Sequence, residues 1–223
     1  MIFTTLQTNE VIMDAFKNIT CALLLAISFV VCASPKLAPA QDKRIRPVIL
    51  VTFTGRLNHG VLAVGGETTG TEISADKITW ELDFRSNKKV RALANQWNRQ
   101  TVIATGKLER RKGLEVSERW IVLVDKLEKP KKPKAPHTVH VDVIGKFRTG
   151  IFAVGGETTG TEILSTNIKW EVKPGKDHGN ALRILNGKLG RLQGTLTRKK
   201  AVELDRDRWI VEAKKIFPLP TRR

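Results

Sequence analysis

Gly60–Ile73 reads GVLAVGGETTGTEI, and Gly150–Ile163 reads GIFAVGGETTGTEI. Twelve of the fourteen positions are identical, and Val61/Ile151 and Leu62/Phe152 differ only in apolar bulk. The next six residues, SADKIT against LSTNIK, share only Ile78/Ile168. The chain therefore carries one module twice, and one segment of it has changed far less than its flank. A length of 223 residues allows one or two domains. The repeat decides for two, each of roughly 80–90 residues, small but sufficient for a core of its own.

Outward from the motif, each copy gives the same string of elements. Ile49, Val51 and Phe53 in the first copy, and Val139, Val141 and Val143 in the second, alternate with other residues, the period of a strand with one buried face. Gly55 and Gly145 follow in register, where a strand bends or bulges. After the motif, Ile78–Leu82 and Ile168–Val172 predict another strand. Val90, Leu93, Ala94 and Trp97 then fall at i, i+3, i+4 and i+7, the stripe of a helix that Asn87 or Ser86 can cap. The second copy predicts a shorter helix over Asn180–Asn186, stopped by Gly187. Two strands close each copy: Ala104, Gly106 and Leu108 match Leu192, Gly194 and Leu196, and Trp120, Val122 and Val124 match Trp209, Val211 and Ala213.

Strand, strand, strand, helix, strand, strand, with a glycine in the first strand, resembles the OB-fold, a five-stranded Greek-key barrel. The resemblance rests on element order and spacing. It implies an all-β chain of two tandem small five-stranded OB-like barrels, each with one short helix between strands 3 and 4. An immunoglobulin-like sandwich would lack the helix and want about seven strands. The expected layout is a signal peptide and disordered N-terminus over 1–40, the first repeat over 41–128, and a Lys/Pro-rich linker over 129–137. The second repeat then covers 138–217 and a basic tail 218–223. In the linker, alternating Pro and Lys resist helix and sheet and extend the chain.

Lys17 precedes an uncharged apolar run, Ile19–Val31, the length of a signal-peptide core and too short for a membrane span. Cleavage is expected near Ala33 or Ala40, which makes the mature protein periplasmic or extracellular. Both cysteines, Cys21 and Cys32, fall in this segment, so the mature chain has no disulfide, thiolate nucleophile or cysteine metal site. An exported chain without disulfides points to a bacterial envelope. The formal net charge is +17; residues 41–128 carry 16 basic and 11 acidic residues, and residues 139–223 carry 17 and 9. Such a balance favours polyanionic partners.

Two sets of residues are candidate ligand contacts. The first is the repeated motif, with Glu67, Thr68, Thr69 and Thr71 in one copy and Glu157, Thr158, Thr159 and Thr161 in the other. Its hydroxyls and carboxylates fit either a ligand loop or a turn closed by its own hydrogen bonds, since both would hold every polar residue in both copies. It lacks the lysine of a phosphate loop and the GxGxxG of a dinucleotide site. The second set is Arg110, Arg111 and Lys112, matched by Arg198, Lys199 and Lys200 in the turn between the last two strands. The resemblance implies that this turn is one of the loops that grip oligomeric ligands, and arginine forks suit phosphate, sulfate or carboxylate.

The four matched tryptophans, Trp80/Trp170 and Trp120/Trp209, are expected to fill the barrels. His59, His137, His140 and His178 recur at no matched position, and His137 and His140 lie on a strand start rather than a helix face, so no metal site is expected. No Ser-His-Asp set assembles, and Glu67 with Glu72 would need a cleft that a barrel of this size rarely supplies. The expected function is therefore non-enzymatic, without cofactor: an exported module that binds an anionic polymer or a cell-envelope protein. The alternatives are a structural or protein-interaction module of the envelope, and non-specific nucleic-acid binding, against which export weighs.

Overall fold

β1 (Val48–His59) buries Ile49, Val51, Phe53, Gly55 and Leu57 and turns the alternate residues outward, as its period-two pattern dictates. In the computed structural model of the protein, residues 45–62, 67–114, 118–132, 134–152, 157–201 and 207–219 are described. The expected signal peptide with both cysteines, Gly65, Gly66, Gly155 and Gly156 of the motif, and the end of the tail lie outside the described residues.

The first copy continues with β2 (Thr71–Ala75), β3 (Ile78–Asp83), helix α1 (Lys88–Gln96), β4 (Thr101–Arg111) and β5 (Arg119–Glu128). β1 pairs with both β2 and β4, β2 with β3, β3 in parallel with β5, and β5 with β4. The ladder returns to its start, so the five strands close into an OB-like barrel. Asn87 caps α1, its Oδ1 accepting from the Val90 N–H at 3.2 Å, and Val90 and Ala94 face the core. The same circuit recurs in β6 (Thr138–Thr149), β7 (Thr161–Ser165), β8 (Ile168–Lys173), β9 (Leu189–Lys200) and β10 (Asp207–Pro218). Here a 3-10 turn (Lys176–His178) leads into helix α2 (Gly179–Leu185), which buries Leu182 and Leu185. Gly55 marks no bulge. It stands where β1 turns from β4 and β6 towards β2, and a Cβ there would lie 2.4 Å from the Ser74 carbonyl oxygen.

The two copies do not keep separate cores. β1 pairs antiparallel with β6 from Val48↔Ile144 to Thr54↔Thr138, making one ten-stranded sheet. Val51 and Val141 are matched positions and pair with each other, while Ile49↔Val143 mirrors Phe53↔Val139, so a pseudo-two-fold axis passes through the Val51–Val141 pair. Beneath this seam the tryptophans meet across the copies rather than each filling its own barrel. Trp80 and Trp170, 2% and 1% exposed, stack at 6.4 Å between ring centroids; Trp120 lies 5.1 Å from Trp209 and 6.5 Å from Trp170. Each such contact contributes about 1 kcal/mol beyond the area it buries. Buried side chains from both copies form one hydrophobic cluster.

Candidate nucleic-acid interface

Between β1 and β2, the described polar groups of the repeated motif bond largely to one another and to the strands beside them. The Gly60 and Val61 N–H groups both donate to the Gly70 carbonyl, at 2.8 and 3.0 Å, and Gly70 takes a φ of +76°. Thr68 Oγ1 accepts from the Gly70 N–H at 3.0 Å, and the Thr69 hydroxyl donates to the Thr71 carbonyl at 3.1 Å. Thr71 is buried, its Oγ1 2.6 Å from His59 Nδ1. The Thr69 N–H donates to Glu81 Oε2 at 2.9 Å, and Glu67 Oε2 accepts from the Leu114 N–H at 2.7 Å, tying this loop to the one between β4 and β5.

The second copy repeats the three threonine bonds. Thr158 Oγ1 accepts from Gly160 at 3.1 Å, the Thr159 hydroxyl donates to the Thr161 carbonyl at 3.0 Å, and the Thr159 N–H donates to Glu171 at 3.1 Å. Thr161 is buried, and Glu157 faces Arg208 electrostatically.

What anchors each loop is a pair the sequence reading did not single out. Arg119 donates to Glu81 at 2.8 and 2.6 Å, and Arg208 donates to Glu171 at 2.8 and 2.6 Å. Glu81 stands directly opposite Glu72 across β2 and β3, and Glu171 opposite Glu162, so each arginine also offsets a like-charge cross-strand pair. Burial alone would raise the Glu81 carboxyl; the Arg119 hydrogen bonds, the Thr69 N–H and the Arg119 charge outweigh it and hold Glu81 below its ordinary value. The signal was available in both copies: Trp80-Glu81 and Arg119-Trp120 match Trp170-Glu171 and Arg208-Trp209.

The basic triplets end β4 and β9, and the structure gives them different surroundings. Arg110 pairs with Glu118 at 3.1 Å, and Arg111 with Glu109 at 3.1 Å and Asp83 at 3.7 Å. Lys112 is exposed. In the second copy, Arg198 pairs with Asp207, lies 5.7 Å over the Trp209 ring and donates to the Lys77 carbonyl at 3.4 Å. Lys199 and Lys200 are exposed and form no ion pair among the described residues. With Lys77, Arg198 and Asp207 they line a hollow of about 520 Å³. Lys77 comes from the β2–β3 turn of the first copy, so both copies build this site.

A second, shallower hollow of about 410 Å³ runs over the seam of the sheet, past Thr52, Thr105, His140, Asp142 and Gln193. Asp142 is held below its ordinary value by the Arg191 hydrogen bonds, against burial, and burial with the Lys214 charge pushes His140 down. Matched Leu62 and Phe152 are 93% and 95% exposed at the start of the β1–β2 and β6–β7 loops. No group of His, Cys, Asp or Glu among the described residues could hold a metal ion. No helix among the described residues is long and apolar enough to cross a membrane.

No family model matches the chain, and no curated protein matches it. Among solved structures it is similar to the wild-type single-stranded DNA-binding protein of Thermus aquaticus, at 15% identity and a TM-score of 0.48, covering 80% of this chain and 95% of that one. A deletion variant of the same protein gives 15% identity, a TM-score of 0.47, and coverage of 80% and 98%. These neighbours are DNA binders. The expectation of an anionic envelope polymer or envelope protein as partner is corrected to this extent: the solved structures the chain resembles are single-stranded DNA-binding proteins, and that expectation is not carried further.

Proposed function

We propose that the chain binds single-stranded nucleic acid through its phosphate backbone, without sequence preference and without catalysing a reaction. The observation that carries this reading is the cationic hollow where the two copies meet, lined among the described residues by Lys77, Arg198, Lys199, Lys200 and Asp207. It sits at the β9–β10 loop, the loop position with which OB-folds hold oligomers, on a chain of net charge +17. Neutralising phosphates with lysine releases counterions and needs no base-specific contact. Phe152, an exposed ring on the β6–β7 loop, offers a face on which any base can stack.

Two barrels in tandem are part of the reading. The β1–β6 seam then holds their loop ends in fixed relation along one strand path. Export by the segment over residues 1–40 is also part of it, so the nucleic acid would be periplasmic or extracellular. The motif residues Thr68, Thr69, Thr158 and Thr159 serve this scheme by shaping the loops. The test is fluorescence anisotropy of a labelled single strand. Neutralising Lys77, Lys199 and Lys200 together to Gln is expected to remove most of the affinity at low salt while the melting temperature holds. Undiminished binding in that variant would take the hollow out of the account.

A further inference from the structure

The first copy's helix and the segment that leaves β5 carry charge of one sign. No acidic residue occurs between Asp83 and Glu109, nor between Glu128 and Asp142. α1 exposes Lys88, Lys89 and Arg91 while Val90 and Ala94 face the core, and Arg99 is exposed on the turn into β4. Lys129, Lys131 and Lys132, all exposed, follow β5. The two stretches meet, for Lys129 Nζ lies 5.5 Å over the ring of Trp97, the residue that ends α1. Lys89, Leu93 and Trp97 fall at i, i+4 and i+8, so one row along the helix leads from Lys89 to Lys129. The Arg91 guanidinium donates to the Arg85 carbonyl at 3.1 Å, which holds it in place without cancelling its charge. None of these cations forms an ion pair among the described residues. The second copy has no matching helix face: α2 carries one cation, Arg183, and Asp177 stands in the turn before it.

This face is separate from the hollow and from the loop tips. It lies at the Ile103↔Glu128 end of the β4–β5 pair, with about 25 Å of strand between it and the Arg111↔Arg119 end. Lys77, which Arg198 of the second copy reaches, stands before the start of β3, whereas α1 follows its end, about 20 Å of strand further on.

We propose that the face made by α1 and residues 129–132 is a second contact for the phosphate backbone of a single strand. The ligand's identity rests on the nucleic-acid reading above; the contact itself does not need the hollow. Unpaired ammonium groups on long stems meet phosphates as point charges and release the counterions condensed on the strand. The charge complementarity favours a polyelectrolyte over a bilayer. No large apolar side chain exposed among the described residues belongs to α1 or to residues 129–132, so nothing on this face can enter an acyl layer.

The experiment compares two neutralised full chains of equal net charge. One combines Lys88→Gln, Lys89→Gln and Lys131→Gln; the other, around α2, combines Lys176→Gln, Arg183→Gln and Lys188→Gln. Arg91 and Lys129 are kept, because one bonds a carbonyl and the other packs on Trp97. Binding of a labelled thymidine oligonucleotide is followed by anisotropy across a salt series, and vesicles of phosphatidylglycerol and phosphatidylcholine are tested by co-sedimentation. On single strands each phosphate contact contributes about 0.7 to the salt exponent. Losing three flattens the slope by about 2 and weakens binding about a hundredfold at 0.1 M salt. That is expected for the α1 variant, with less than about a threefold change for the α2 variant, whose charges lie beyond the screening length. Lys→Arg at the same three α1-face positions is expected to bind as the wild type does; a loss there too would make the effect structural and overturn the contact. Equal losses from the two Gln variants, or no loss from the first, would overturn the second contact and leave the hollow to hold the strand. Vesicle binding lost in the α1 variant with oligonucleotide affinity unchanged would overturn it in favour of a membrane surface. A wild-type chain that bound no oligonucleotide would overturn this contact together with the reading it rests on.

Discussion

Glu81→Gln is the perturbation that most sharply separates a structural role for the repeated motif from a ligand-binding one. The Glu81 carboxylate accepts two hydrogen bonds from Arg119 and one from the Thr69 N–H, in a setting where the two side chains are 16% and 15% exposed. Gln keeps the shape but removes the charge and can present only one acceptor oxygen. Arg119 then keeps Glu67, at 3.8 Å, as an acidic partner. Breaking a buried pair on one side costs about 3–5 kcal/mol, and partial exposure brings this to roughly 2–3 kcal/mol. For a domain of this size each kcal/mol moves the midpoint by about 2–4 °C, so a fall of roughly 4–12 °C is expected in a thermal melt followed by far-ultraviolet circular dichroism. Oligonucleotide affinity below the midpoint should stay near wild type. A melt unchanged within about 2 °C, with affinity lost, would refute the reasoning and make the motif the ligand contact.

Acid should unfold the protein through the same groups. Glu81, Asp142 and Asp207 all lie below their ordinary values, so the unfolded chain binds protons more readily than the folded one. Their stabilisation is full above about 4.5, the ordinary glutamate value, and is lost as pH falls through the lower folded values; urea midpoints between pH 7 and pH 3 should drop, and in Glu81→Gln they should drop less. Gly106→Ala would place a Cβ 2.1 Å from the Leu123 carbonyl oxygen. It is expected to cost about 3 kcal/mol, read as a lower urea midpoint at unchanged slope. The shared tryptophan cluster and the β1–β6 ladder couple the copies, so calorimetry should show one transition whose van't Hoff and calorimetric enthalpies agree, where two resolved transitions would indicate independent cores.

Local features of this chain were legible from sequence because their causes are local. The alternation of Ile49, Val51 and Phe53 determines which face of β1 is buried, and the Val90–Ala94 stripe with Asn87 before it determines a capped helix. The motif was legible as a loop from its glycines. The β1–β6 seam was not, because pairing β1 with β6 depends on outward residues such as Thr52 and His140, whose polar character fits solvent equally well. The tryptophans are apolar wherever they sit, so their meeting across the copies had no sequence signature beyond their matched spacing. Arg110, Arg111, Arg198 and Lys199 read alike as basic residues in turns. Their difference lies in cross-strand partners, Glu109 and Asp83 against Thr197 and Lys173, and in Lys77, which is distant in sequence and belongs to the other copy.

The most direct measurement is the affinity of the full chain for a labelled single strand across a series of salt concentrations. On the proposed reading, Lys77, Lys199 and Lys200, which line the hollow, supply three phosphate contacts, and log affinity is expected to fall linearly with log salt at a slope of about −2 or steeper. Absence of binding at the lowest salt, or an affinity that salt does not change, would contradict a grip made by charge at the junction of the two copies.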